Sequence, residues 1–116
     1  KHWDDDVDHI DNGNYDYLMG SDVDVNEPRV SEELIRWGKW YLKQTSVDGL
    51  RLDALKHISK SFYRSWLAEM RCATGREIFT VGEYWSGDVH ALVDYLGQDA
   101  PMSLFDVPLH YKLFRP

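Results

Sequence analysis

The stretch Asp48-Gly49-Leu50-Arg51-Leu52-Asp53-Ala54-Leu55-Lys56-His57 decides the fold. Asp-Gly is a strong turn signal. The apolar and polar residues that follow alternate with a period of two, which predicts a strand over 50–55. Arg51 and Asp53 stand two apart and therefore share one face of it. Upstream, Val30, Leu34, Trp37, Gly38, Tyr41 and Leu42 recur at helical spacing and predict a helix over 30–45. Ser31 is its expected cap, with Glu32 and Glu33 at the positive end of the dipole. Downstream, Phe62, Trp66 and Met70 predict a helix over 60–73, and Gly75 stops it. The β-rich run 77–82 predicts a second strand. Asp88 caps a third helix to Leu96, which ends at Gly97, and Met102 to Val107 reads as a third strand closed by Pro108. Strands centred near Leu52, Val81 and Phe105 have the spacing of βαβ units, so the fold class is α/β with a parallel sheet. Three such strands leave two open edges and half a core, so the pattern predicts part of a larger α/β domain. Trp37, Trp40, Tyr41, Phe62, Trp66 and Met70 are expected on helix faces packed against the sheet, and Cys72 as a buried or half-buried residue of its helix.

Composition narrows the function classes. The chain has 116 residues, less than half of the roughly 250 of a (β/α)8 barrel. It is 43% hydrophobic and 14% aromatic, which argues against intrinsic disorder. Its net charge of −7 argues against sequence-independent nucleic-acid binding, which needs Lys and Arg to displace phosphate counterions. Nine acids and two bases fall in residues 1–30, so that segment carries the whole imbalance. The segment reads as loop with short extended pieces: Asn12-Gly13 is a turn, and Asp22-Val23-Asp24-Val25 alternates like a strand. Asp22-x-Asp24-x-Asn26 mimics an EF-hand loop, but Glu27 stands where that loop needs Gly. The remaining acids, Asp5, Asp6, Asp8 and Asp11, read as a solvated loop. One cysteine excludes an internal disulfide framework, and no apolar run approaches the roughly 20 residues of a bilayer span.

The chemistry is expected where parallel strands end. Asp53 ends the first strand, Glu83 the second, and the third carries Asp106, which is expected to face inward. Neighbouring strands lie about 4.8 Å apart, so direct pairing would bring Asp53 and Glu83 to roughly the 5 Å of a retaining glycosidase. A lone carboxylate at a strand end is more often a cap or an ion-pair partner. Arg51 beside Asp53 tilts the reading, because an adjacent cation favours the ionised nucleophile. Trp85, two residues after Glu83, offers an aromatic face for a sugar.

These stretches carry a family resemblance. Asp48 to His57 resembles the nucleophile motif of the alpha-amylase family, glycoside hydrolase family thirteen. Phe79-Thr80-Val81-Gly82-Glu83-Tyr84-Trp85 is similar to its acid/base motif, and Phe105-Asp106-Val107-Pro108-Leu109-His110-Tyr111 to its next barrel strand. Gly13-Asn14-Tyr15-Asp16-Tyr17-Leu18-Met19 with Asp22-Val23-Asp24 resembles the calcium-binding stretch of the bacterial liquefying-type and intracellular amylases. The motifs stand in family order and span the chain.

The resemblance implies about three central β/α units of a (β/α)8 TIM barrel over 29–116, preceded over 1–28 by the end of an inserted calcium-binding domain B. It implies a monomeric enzyme acting on α-glucans (starch, glycogen and maltodextrins), with no membrane and no nucleic-acid partner. Asp53 is then the nucleophile and Glu83 the acid/base, protonated when substrate binds, while Arg51 orients Asp53. Lys56, His57 and Trp85 contact the sugar. For Ca²⁺, Asp16 and Asp22 would supply carboxylates and His57 its backbone carbonyl. Asp4, Asp24 and Asn26 correspond to an additional metal cluster, with Asn26 in place of an Asp. The family's third catalytic Asp would lie beyond Pro116. Other α-glucan-active enzymes of the family, and non-catalytic amylase-like transporter subunits, are the alternatives. The second class tends to lose the carboxylates that are present here.

Overall fold

In the computed structural model, residues 23–97 and 100–114 are described. The elements are α1 (Pro28–Thr45), β1 (Gly49–Leu52), a 3-10 turn (Leu55–His57), α2 (Lys60–Thr74), β2 (Phe79–Gly82), α3 (Val89–Leu96), β3 (Ser103–Leu104) and α4 (Val107–Phe114). The three strands form a parallel sheet in the order β1-β2-β3. Leu52 pairs in register with Gly82, and Gly82 with Leu104.

The helices bury one stripe each, as their spacing predicts. Leu42 of α1, Trp66, Leu67 and Met70 of α2 and Ile78 form one core cluster against the sheet. Leu55, Tyr63, Tyr84 and Leu92 form a second, and Leu52, Phe62 and Met102 pack against both. Trp66 Nε1 donates to the Leu34 carbonyl at 3.0 Å and ties α2 to α1. Complete burial of Leu67 contributes about 2–3 kcal/mol through area removed from water.

Several sequence expectations are corrected. Trp37, Trp40 and Tyr41 are not buried against the sheet: all three are exposed, Trp37 stacks on Tyr41 at 5.4 Å, and these two line an open groove beside Leu50 and Leu52 of β1. The α1 stripe that faces inward is Leu34, Gly38 and Leu42, and the large aromatics flank it. Cys72 is exposed, because α2 turns the Trp66, Leu67 and Met70 side inward. Ser31 does not cap α1. The helix begins earlier, with Pro28 in its first turn and the Glu27 side chain accepting from Arg29 N, while the Ser31 hydroxyl donates to the Val25 carbonyl. Val23 and Asp24 belong to no strand, and Val25 and Asn26 form a turn. The backbone N–H of Asn26 donates to Asp24 Oδ1 at 3.1 Å, so local Asx chemistry outcompetes extended pairing.

Two strand ends also differ. β1 stops at Leu52 because Ala54 adopts a left-handed conformation (φ 48°), which breaks the alternation read over 50–55 and drives Leu55 into the core. The third strand stops at Leu104, and the chain enters the unanticipated helix α4. Asp106 lies past the third strand rather than within it. It is exposed and starts α4, its Oδ1 accepting from Leu109 N at 2.9 Å. Pro108 sits in the first turn, where its missing N–H has no helical partner to lose. Among the described residues, no helix is long and apolar enough to cross a membrane.

Candidate active site

The sheet places its charged residues together at one end. Beyond the last paired residues, Glu83 N donates to the Leu52 carbonyl at 2.8 Å and Leu55 N to the Glu83 carbonyl at 3.0 Å. The ladder therefore continues one step past the strands and sets Asp53 beside Glu83. Gly82 makes this step possible. A Cβ there would meet the Leu55 side chain at 2.4 Å and Met102 at 2.9 Å, so glycine lets the core close beneath Glu83 without displacing either side chain.

A single guanidinium nitrogen of Arg51 contacts both carboxylates, Asp53 Oδ1 at 2.7 Å and Glu83 Oε2 by a shorter bond. The two carboxylates therefore meet on one nitrogen, which gathers Asp53 and Glu83 at the same strand ends. The sequence placed Arg51 next to Asp53 by the period of two. It did not reveal the second bond to Glu83, which depends on strand pairing. The Arg51 guanidinium also lies 5.9 Å from the Phe105 ring centroid, so the third strand end adds an aromatic wall.

Asp53 is the most exposed of the three, at 71% of its side chain, against 51% for Arg51 and 25% for Glu83. Its backbone is held from below: the buried Tyr63 hydroxyl donates to the Asp53 carbonyl at 3.3 Å. Burial, aided by Tyr95 and by Asp53, pushes the Tyr63 phenol far above its ordinary range. Burial likewise raises Tyr95 to about 12, against the opposing pull of Arg64. Both phenols therefore stay protonated at working pH, and Tyr63 remains a donor. Sequence reasoning missed Tyr63; its place in the Tyr63, Trp66, Leu67, Met70 stripe marked it as inward-facing, but its partner lies ten residues upstream.

Lys56 and His57 lie on the 3-10 turn directly after Asp53 and Ala54. The Lys56 ammonium stands 5.7 Å from the Tyr84 ring centroid, and His57 is exposed. Trp85 is 48% exposed on the loop after β2. Asp24 and Asn26 stand in the turn before α1, joined by the Asn26 N–H to Asp24 Oδ1 bond. Asp4, Asp16 and Asp22 lie outside the described residues. Among the described residues, no three acidic, histidine or cysteine side chains gather where they could hold a metal ion.

Parallel β/α units whose strand ends present two carboxylates on one arginine are the arrangement expected of a segment of a (β/α)8 barrel. Comparison with known proteins makes the family definite. The chain is 53% identical over 115 residues to an alpha-amylase of Geobacillus stearothermophilus, covering 98% of this chain and 21% of that protein. It is 49% identical over 115 residues to a glucan 1,4-alpha-maltohexaosidase of Bacillus sp. (strain 707), covering 98% and 22%. Among solved structures, an alpha-amylase of Geobacillus thermoleovorans complexed with acarbose superposes with a TM-score of 0.78 at 28% identity, over 97% of this chain and 25% of that one. No family model matches the chain. The chain belongs to the alpha-amylase family, and it spans about a fifth of the length of the curated relatives it matches.

Proposed function

We propose that the protein carrying this segment is an alpha-amylase, cleaving α-1,4-glucosidic bonds within starch, glycogen and maltooligosaccharides with retention of anomeric configuration. The observation that carries this reading is the Arg51 bridge between Asp53 and Glu83 on adjacent strand ends. Asp53 attacks the anomeric carbon and forms a glycosyl-enzyme ester as the bond to the glycosidic oxygen breaks. Glu83 gives its proton to that departing oxygen. It then takes a proton from water, which displaces Asp53 and restores the original configuration. Arg51 fixes the rotamer of the Asp53 carboxylate through a charge-assisted bond. Lys56, His57 and Trp85 bind sugar around the scissile bond. The test is Asp53→Asn and Glu83→Gln in the full-length protein, with reducing-sugar release from soluble starch and product anomers followed by NMR. Loss of hydrolysis in both, with retained configuration in the parent, is the expected result. Near-parental activity in either overturns the assignment.

The likeness to a maltohexaosidase favours a second, narrower reading, in which the enzyme releases maltooligosaccharides of preferred length. Chromatography of early starch digests separates the two readings: a broad ladder for the first, one dominant oligomer for the second.

Calcium belongs to the same proposal. The residues the family resemblance assigns to it, Asp16 and Asp22 with the His57 carbonyl, and Asp4, Asp24 and Asn26 for a further cluster, all offer oxygen, the donor set that suits Ca²⁺. His57 follows Asp53 by four residues on the 3-10 turn. A metal there would tie residues 1–28, the end of an inserted domain, to the strand end that carries the nucleophile. When bound, the ion supplies charge neutralisation and rigidity rather than reacting atoms. Chelation should lower the melting temperature, and added Ca²⁺ should restore it. At one hundred times its Kd, a ligand of the folded state contributes about 2.7 kcal/mol. A melt indifferent to both treatments overturns the calcium assignment.

A further inference from the structure

The loop after β2 and the helix after β3 are joined through two side chains. Trp85 Nε1 donates to the Tyr111 hydroxyl at 3.0 Å, and the rings meet edge to face with centroids 6.2 Å apart. Both sides of this contact are built. A Cβ on Gly87 would stand 3.1 Å from the Tyr111 ring, so the loop backbone rests against that ring and leaves no slack. α4, which carries Tyr111, is anchored by buried Val107 and Pro108 and capped by Asp106. His110 packs near the indole as well, with centroids 5.5 Å apart. The indole is nonetheless 48% exposed, two residues from Glu83.

We propose that Tyr111 is a positioning residue, whose hydroxyl fixes the plane of the Trp85 indole so that a glucose ring of the α-glucan packs on it beside Glu83. This inference rests on the α-glucan reading above. An exposed indole on a loop turns about two side-chain torsions, and binding a sugar must stop that motion. A hydrogen bond at the indole edge stops it beforehand, and the half-exposed indole still presents apolar ring surface to the apolar side of a sugar. Pre-ordering one such side chain is worth about 3- to 10-fold in binding.

The test uses the full-length enzyme with maltoheptaose. Tyr111→Phe keeps the ring and removes the acceptor. It should raise KM about 3- to 10-fold while kcat changes less than about twofold. Trp85→Phe should raise KM more. Because Phe has no Nε1, the double variant should be no worse than Trp85→Phe alone, a coupling that a merely structural tyrosine would not produce. Gly87→Ala, which presses on the Tyr111 ring, provides a second route to the same KM change if Tyr111→Phe folds poorly. An active parent whose KM is indifferent to Tyr111→Phe, or single effects that simply add, overturns the role of Tyr111 and leaves the amylase reading intact. A parent that neither cleaves nor binds maltoheptaose overturns both.

Discussion

The layer where α1 and α2 cover the sheet and the rim where its strands end obey different physics. In the helical layer, Leu42, Trp66, Leu67, Met70 and Ile78 are buried and touch one another, and their contribution is area removed from water. At the rim, Arg51, Asp53 and Glu83 remain in contact with solvent, and charge and direction hold them in place. The first region tolerates repacking as long as volume is kept. The second is sensitive to a single atom. Stability and chemistry are thus separated along the strands, with Gly82 at the boundary: its missing side chain lets Leu55 and Met102 close the core while the next residue, Glu83, reaches outward.

Substitutions in the full-length protein can break this separation. The largest effect is expected from Asp53→Asn, which preserves shape and removes the proposed nucleophile. Starch hydrolysis should fall by about 10³-fold or more, with the thermal midpoint nearly unchanged. A large loss of stability instead would place Asp53 in the framework. Next comes Leu67→Ala in the helical layer. It should cost about 2–5 kcal/mol in a denaturant melt and leave kcat close to the parent value below the transition. A strong fall in kcat at unchanged stability would contradict the proposed division. Arg51→Lys sharpens the comparison at the rim. An ammonium keeps the charge but is more strongly hydrated and sits on a more flexible stem than the rigid guanidinium, so kcat should drop about tenfold, with less than about 1 kcal/mol lost in stability. The smallest effect belongs to a cap distant from both regions. Asp88 Oδ1 accepts from His90 N at 2.9 Å at the start of α3, and Asp88→Ala should cost about 1 kcal/mol with normal activity.

Much of the fold was legible because local signals agreed with tertiary need. The α2 period, the Gly75 stop and the Asp88 cap read correctly, since each is settled within a few residues. α4 was legible in principle: Asp106 two residues before Pro108 is a helix-start signal, but the apolar run from Met102 imitated a strand. The exposure of Trp37, Trp40 and Tyr41 could not be read that way. Helical spacing defines a stripe but not its edges, and the edges depend on which neighbour presses against the helix. The left-handed Ala54 has no local signature either, because alanine disfavours that conformation and only its surroundings impose it.

The sequence alone determined the α/β class, the order of its units, the pairing of Arg51 with Asp53 on one face, and the candidacy of Asp53 and Glu83. Periodicity and short motifs carry that information within one segment at a time. Tertiary structure decided that Glu83 stands beside Asp53 on the same guanidinium, that Tyr63 holds the Asp53 carbonyl, and that Trp85 is bound to Tyr111. Each of these contacts joins different elements of the chain. Their geometry is set by parallel register and by how α2 and α4 dock, which no local pattern encodes.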